Sequence, residues 1–323
     1  MAQKAPTKNR RELAPVLAFD LGGTKVAVGV VNSRGRILDE IRVPTVFQEG
    51  KDAVIRQLSE LGQGFLDRYP RIKYVGVASA GPLDPAKGIL LDPTNFSSRE
   101  GKKWGTVPLA KLLSTRLKRK VFLENDAAAA VLAEHWIGAA KGYRNAIILT
   151  LGTGLGTGMI CENELVRAGR GQHPEGGHVI LDFNDSSAPC GCGNIGCAEA
   201  YLSGRSFTRR ARVRLGREDL DAKAIADLAR AGDPKFLELF DEYSRVMAVA
   251  IHNYVVLYAP EIVIFTGSFA NTADLFLEKT RKQLLQLLAR RRQGVDLLPK
   301  LALSRLENNA GLIGGALVAL RGK

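Results

Sequence analysis

Apolar residues fall along this chain in blocks of two kinds. Val16-Leu17-Ala18-Phe19, Val26 to Val31, Tyr74 to Ala80, Val121-Phe122-Leu123, Ile147-Ile148-Leu149-Thr150, Met159-Ile160-Cys161 and Glu261 to Phe265 are short runs bounded by turn residues, which predicts strands. Val54 to Arg68, Leu109 to Leu117, Ala127 to Ile137, Ala222 to Ala231, Pro234 to Leu257 and Thr272 to Arg292 carry helical spacing, and Asn309 to Leu320 reads as a Gly/Ala-rich helix. Ala80-Gly81-Pro82-Leu83-Asp84-Pro85 is turn chemistry. The alternation of the two kinds predicts a mixed α/β chain.

Two stretches share one plan. Val16 to Phe19 is followed by Asp20-Leu21-Gly22-Gly23-Thr24-Lys25 and a second apolar run; Ile147 to Thr150 is followed by Leu151-Gly152-Thr153-Gly154-Leu155-Gly156-Thr157-Gly158 and another. Each predicts a β-hairpin whose glycines admit φ > 0 and let backbone N–H groups approach an anion. The pair reads as a phosphate clamp. Neither turn is a P-loop, because no Gly-Lys-Ser/Thr opens a helix, and the strand-like residues after Gly158 exclude a dinucleotide fingerprint.

A length of 323 residues suggests two domains with a cleft between them. Residues Met1 to Leu13 are polar and basic with no apolar h-region, so they do not read as a signal peptide. The most apolar stretch, Val246 to Phe265, is interrupted by His252, Asn253, Pro260 and Glu261, so no membrane partner is expected. Four cysteines, three of them between Cys190 and Cys197, argue against a secreted disulfide scaffold and for a reducing cytoplasm. The net charge of +13 is distributed, with concentrations at Lys8 to Arg11, Arg205 to Arg217 and Arg290 to Arg292. No aromatic residues interleave with these runs in the manner of a base-stacking surface, so they read as solvated basic faces and no nucleic acid is expected as a partner.

Asp126 stands where a strand gives way to a helix. That position suits an N-cap, and it equally suits a general base facing the cleft at the carboxyl end of a strand. Cys190-Gly191-Cys192-Gly193-Asn194-Ile195-Gly196-Cys197 sets three thiols in a tight loop of small residues, which suits a closed, structural zinc site whose fourth ligand comes from His178 or His173 upstream. The intervening Pro174-Glu175-Gly176-Gly177 excludes a metalloprotease helix. Cys161 reads as core.

Taken together, Asp20-Leu21-Gly22-Gly23-Thr24-Lys25, Leu123-Glu124-Asn125-Asp126-Ala127, Leu151-Gly152-Thr153-Gly154, Glu175-Gly176-Gly177-His178 and Cys190-Gly191-Cys192-Gly193-Asn194-Ile195-Gly196-Cys197-Ala198-Glu199 resemble the ROK sugar kinases, in family order from Val16 to Leu320. The resemblance implies an α/β fold of two RNase-H-like, actin-like ATPase domains with an interdomain cleft. The small domain would comprise 14–124 with 309–323, the large one 125–308. It implies ATP-dependent phosphorylation of a hexose, foremost glucose at its 6-hydroxyl, with N-acetylmannosamine, N-acetylglucosamine and then fructose as alternatives. A ROK transcriptional regulator is disfavoured, since only about fifteen residues precede the first phosphate motif, too few for an independently folded domain.

Carried over by position, Asp126 is the general base and Asp20 holds Mg²⁺ through water. Gly22, Gly23, Thr24 and Lys25 form one ATP phosphate loop and Gly152, Thr153, Gly154 and Gly156 the other. Gly267 and the Gly311 to Gly315 helix approach the base and ribose. Asn125, Asp126, Glu175, His178 and Glu199 bind sugar hydroxyls, with Gly81 and Asn95 from the small domain. His178, Cys190, Cys192 and Cys197 hold a structural Zn²⁺, which orders the loop carrying Glu175 and Glu199, so metal loss is expected to affect the sugar site far more than the ATP site. The implied partners are a sugar and ATP, in a homodimer or homotetramer. His173-Pro174-Glu175 replaces the usual Gly-Glu and resembles the fructokinase branch, whereas the zinc loop is of the glucokinase and N-acetylhexosamine kinase type.

Overall fold

The computed structural model describes residues 14–93, 103–167, 169–289 and 296–322. Asn95 and the basic runs Lys8 to Arg11 and Arg290 to Arg292 lie outside them.

The first half begins with β1 (Val16–Leu21), β2 (Lys25–Val31), β3 (Ile37–Pro44), α1 (Lys51–Arg68) and β4 (Tyr74–Ser79). The short strands β5 (Leu83–Asp84), β6 (Ile89–Leu91) and β7 (Thr106–Val107) follow, then α2 (Leu109–Leu117), β8 (Lys120–Asn125) and α3 (Asp126–Ile137). The second half contains β9 (Ala146–Leu151), β10 (Leu155–Cys161), β11 (Glu164–Leu165), α4 (Ala198–Leu202), α5 (Gly204–Leu215), α6 (Ala222–Arg230), α7 (Pro234–Tyr258), β12 (Ile262–Thr266), α8 (Ala273–Ala289), β13 (Lys300–Leu303) and α9 (Ala310–Arg321).

Two five-stranded sheets share one plan: β3-β2-β1-β4-β8 and β11-β10-β9-β12-β13. In each, the first three strands are antiparallel and the last two run parallel to the middle one. Both expected hairpins, β1–β2 and β9–β10, are present. Near-continuous Val, Ile and Leu fit strands buried on both faces. Leu17, Phe19, Leu58, Val75 and Leu113 belong to one core, with α1 and α2 packed on the first sheet. In the other, Phe207, Phe240, Tyr243, Phe269 and Phe276 form an aromatic cluster under the second sheet, with neighbouring ring centroids 5.0–6.5 Å apart.

Helix α9 lies on β1, β4 and β8, helix α3 lies on β9 and β10, and the two helices pack against each other. Their Gly/Ala composition is a packing requirement. A Cβ added at Gly314 would lie 2.0 Å from the Ala129 carbonyl oxygen, and one at Gly76 would lie 1.8 Å from that of Gly315. The fully buried Glu134 fastens this junction. Its carboxylate accepts from Ala139 N (2.5 Å), Leu306 N (3.2 Å) and the Ser304 hydroxyl, tying the end of α3 to the segment that leads into α9.

The sequence pattern missed β3, β13 and the β5-β6-β7 sheet, whose alternation is weak or which are only two to four residues long in most cases. It also read Arg205 to Arg217 only as charge. That segment is largely α5, capped by Ser203 and burying Phe207 and Ala211, with Arg210 and Arg214 paired to Asp185, Glu238 and Glu242. Cys161 is exposed rather than core, because it ends β10 at the hairpin turn Glu162-Asn163, whose residues have φ of 51° and 67°. No helix among the described residues is long and apolar enough to cross a membrane.

Candidate active site

The carboxyl ends of three neighbouring parallel strands form one row. Leu21 of β1 is in register with Ser79 of β4, and Ser79 with Asn125 of β8; one step back, Asp20, Ala78 and Glu124 are aligned. The row delivers the first Gly/Thr turn, the Gly81 turn and the start of α3 to one edge of the sheet, where open α/β sheets place their ligands. On the other sheet, β10 presses on the start of α3: a Cβ at Gly158 would lie 2.3 Å from the Ala127 carbonyl oxygen, and one at Gly156 would lie 3.2 Å from the Ala127 Cβ. The first turn of α3 thus touches the second hairpin, while Asp126 is felt electrostatically by Asp20 of the first.

Asn125 is the N-cap of α3, its Oδ1 accepting from Ala128 N at 3.0 Å. Asp126 is the first helical residue and accepts from Ala127 N at 2.8 Å. Of the two roles open to Asp126, the cap therefore belongs to its neighbour. Burial raises Asp126 above the ordinary carboxylate range; Ala127 N–H and His173 oppose that rise, and Glu175 adds to it. Burial likewise pushes Asp20 up to about 7, with the Asp126 charge adding and Arg42 opposing. Arg42 also donates to Asn308 O (3.1 Å) and to Asn309 Oδ1, holding the approach to α9. A Cβ at Gly311 would lie 2.5 Å from the Asp20 carboxylate, so the start of α9 abuts that group. Two desolvated carboxylates are a fit for a divalent cation, whose charge would oppose the rise that burial causes.

The turn glycines do not adopt a left-handed conformation: Gly22, Gly23, Gly152 and Gly154 all lack positive φ. Gly22 N donates to Lys25 O at 3.0 Å and Gly152 N to Gly154 O at 3.1 Å. Gly23 and Gly152 face open space, and Gly23, Thr24, Lys25 and Thr153 are exposed at the tips. The Gly156 amide already donates to Thr150 Oγ1 at 3.1 Å. Gly267, with φ of 91°, is pressed to the end of β9: a Cβ there would lie 2.4 Å from Leu151 O.

Opposite Asp126 is the segment His173-Pro174-Glu175. His173 Nε2 lies 3.3 Å from Glu175 Oε1, and this contact holds the Glu175 carboxyl below its ordinary range. A Cβ at Gly81 would sit 3.6 Å from both Asn125 Nδ2 and His173 Cε1, so these three residues border one space. Glu199 of α4 accepts from Leu155 N at 2.9 Å, and its other oxygen lies 3.5 Å from Cys190 Sγ. It joins the second Gly/Thr turn to the cysteine loop.

That loop is closed by Cys190 N to Asn194 O (2.9 Å), Gly196 N to Ala188 O (2.8 Å) and the bridges Ile180–Cys197 and Pro189–Ile195. Gly196 is required twice over: its φ is 68° and a Cβ would lie 1.6 Å from Asp182 O. Ligand atoms of His178, Cys190, Cys192 and Cys197 all lie within 4.8 Å of one another. Cys192 Sγ to Cys197 Sγ is 3.7 Å and Cys190 Sγ to His178 Nδ1 is 3.5 Å. Tetrahedral zinc, with bonds of about 2.3 Å to sulfur and about 2.0 Å to nitrogen, has edges close to these lengths. The donor set fits zinc, and His173 is not part of it.

Sequence reasoning gave no role to Glu124 or Arg167. The buried Glu124 carboxylate accepts from Arg167 at 3.2 and 2.5 Å and from Asn125 N at 2.9 Å, fastening the end of β8 to the loop that leads to His173. The only signal was a Glu beside Asn125 in an otherwise apolar strand. Arg167→Met strands a carboxylate whose side chain is 3% exposed, although the arginine side chain is 38% exposed. A loss of about 2 kcal/mol in urea unfolding is expected, with part recovered in Arg167→Met/Glu124→Gln. Equal stability of single and double variants would remove the pair's role.

The ROK family profile matches residues 16–321. A glucokinase of Thermotoga maritima is 33% identical over 314 residues, covering 93% of this chain and 96% of its own. Among solved structures, a ROK hexokinase from Thermus thermophilus superposes with a TM-score of 0.79 at 34% identity, covering 95% of this chain and 98% of that one. A ROK family glucokinase from Streptomyces griseus, in complex with glucose and AMPPNP, gives a TM-score of 0.79 at 30% identity, covering 95% and 100%.

Proposed function

The chain belongs to the ROK family, and from that premise we propose that it is an ATP-dependent hexose kinase acting on the 6-hydroxyl of glucose, with Asp126 as general base. The observation that carries the reading is the first turn of α3: Ala127 packs on the second Gly/Thr hairpin, while Asp126 beside it lies near enough to Asp20 of the first to raise that carboxyl. Phosphoryl transfer asks chiefly for positioning and charge stabilisation, so two phosphate turns and one base suffice. Asp126, desolvated and raised in basicity, accepts the proton of the attacking hydroxyl. Glu175 stays ionised beside it as a hydroxyl acceptor, joined by Asn125, His178 and Glu199. Gly23, Thr24, Lys25, Gly152 and Thr153 are the positions open to phosphate. Asp20 would hold Mg²⁺, which neutralises phosphate charge when bound.

His178, Cys190, Cys192 and Cys197 would hold one structural zinc; their spacing supports this. His178 then faces the metal with Nδ1, leaving Nε2 for a sugar hydroxyl. We place the domain division at 14–124 with 309–323 and 125–308, a reading supported by the two equivalent sheets, and a cytoplasmic homo-oligomer is the form that best suits the free thiols and the family.

A coupled assay with ATP across glucose, N-acetylglucosamine, N-acetylmannosamine and fructose tests the substrate. Glucose is expected to give the highest kcat/KM. A clear preference for fructose would overturn the choice of sugar, and no turnover on any of the four would overturn the reaction.

A further inference from the structure

The sequence left His173 between two roles, and the structure takes it away from the cysteine cluster. His173 is 9% exposed, so its ring nitrogens need partners within the fold. Three neighbours define its place. Its Nε2 is 3.3 Å from Glu175 Oε1. Its Cε1 borders the space in front of Gly81, shared with Asn125 Nδ2. Asp126 lies within its electrostatic reach, as it does within that of Glu175. The ring therefore stands among the Glu175 carboxylate, the Gly81 turn that follows β4 and Asp126.

Consider what Glu175 would do without it. The carboxylate is exposed and lies in a Pro/Gly segment, with only a short 3₁₀ turn, Gly176–His178, behind it. Several rotamers would then be open to it, and ordering it on ligand binding would cost affinity. A rigid imidazole N–H, itself fixed by burial, selects one rotamer in advance.

We propose that His173 is a positioning residue of the sugar pocket: it wedges between the Gly81 turn and the Glu175 carboxylate, and presets Glu175 as acceptor for a hexose hydroxyl. The inference rests on the hexose-kinase reading above. It makes a claim that a merely structural histidine does not satisfy, because the loss falls on the sugar side alone and an amide N–H can replace the imidazole N–H.

The test uses the full-length protein and two variants, His173→Ala and His173→Gln, with steady-state kinetics in both substrates and calorimetric titration of glucose without nucleotide. His173→Ala is expected to raise KM for glucose by about tenfold or more, the usual size of a lost polar positioning contact. The glucose Kd should rise in parallel, with KM for ATP and zinc content within twofold of the parent. His173→Gln, which keeps a side-chain N–H, is expected to restore most of the glucose affinity. An unchanged glucose KM and Kd in His173→Ala overturns the inference, and so does an equal rise in the ATP KM. Equal loss in both variants, accompanied by a fall in Tm, assigns the residue to structure alone and overturns it too. A parent protein that phosphorylates no hexose overturns the underlying reaction instead, which separates the two failures.

Discussion

Asp126→Asn lowers kcat by about 10²-fold or more while glucose still binds, if the carboxylate at the start of α3 is the base. The amide matches the carboxylate in size and can still accept from Ala127 N through its oxygen, so the helix start is retained. The cap is untouched, because Asn125 supplies it. What disappears is the ability to take a proton from the sugar hydroxyl. Loss confined to kcat is the signature of an interaction made in the transition state. Single-turnover measurements with glucose and ATP check it, and near-normal turnover by the variant would remove Asp126 from the mechanism.

The same carboxylates dictate two pH dependences of defined sign. The base acts when ionised, so kcat/KM falls as pH drops through the raised value of Asp126. The acid limb should therefore lie above the ordinary carboxylate value of about 4. Stability runs the other way. Asp20, at about 7 in the folded state, keeps its proton over a range where the unfolded chain has lost it, so the folded state binds more protons between about pH 4 and 7. From these groups, the ligand-free fold loses stability as pH rises through that window, and Asp20→Asn should flatten the trend in thermal melts. An Asp20→Asn protein whose melting temperature still falls across the window with the parent's full slope would refute the assignment.

Much of this site was legible because its chemistry is local. The two hairpins span sixteen consecutive residues each, the strand-to-helix step at Asp126 and the cysteine spacing fewer than about ten, and local patterns survive folding. What was not legible came from contacts between distant segments. That Asn125 and not Asp126 caps α3 depends on which side chain turns back on Ala128 N, and both residue types suit an N-cap. The glycines of the turns suggested left-handed backbone; in the fold Gly158 is small because the Ala127 carbonyl lies against it, as Ala129 does against Gly314 of α9. Glu124 with Arg167, and Glu134 with Ser304, bridge positions 43 and 170 residues apart. No period or motif marks such pairs. The helix α5 was hidden for another reason: its arginines dilute the apolar stripe to Phe207 and Ala211.

Removing the metal, or replacing Cys192 by Ala, is expected to damage both substrate sites, the sugar site more. The loop from Pro189 to Cys197 has few apolar side chains and two isolated bridges, so burial orders it poorly, and a bound metal would supply the order instead. Three thiolates and one imidazole make a site of formal charge −1, common for structural zinc. Without it, His178 and Glu199 lose a fixed neighbour, and Glu175, three residues from His178, loosens with them. KM for the sugar should rise about tenfold or more, as when the support of a metal-ordered ligand is lost. Sequence alone suggested that the ATP site would be largely spared. Two contacts oppose that. Glu199 accepts from Leu155 N at 2.9 Å, and Gly204 N, just beyond α4, donates to Gly152 O at 2.9 Å. The helix that follows the cysteine loop thus grips the second Gly/Thr turn at both ends, and KM for ATP should rise as well, by a smaller factor. The aromatic cluster beneath the second sheet does not involve the loop, so most helical circular dichroism should remain. Metal content of protein purified without added zinc, followed by both KM values before and after chelation, decides the matter. About one zinc per chain with coupled losses is the expected result. A zinc content near zero with full sugar affinity would overturn the site, and a chelated protein with a raised sugar KM and an unaltered ATP KM would overturn the link through Glu199.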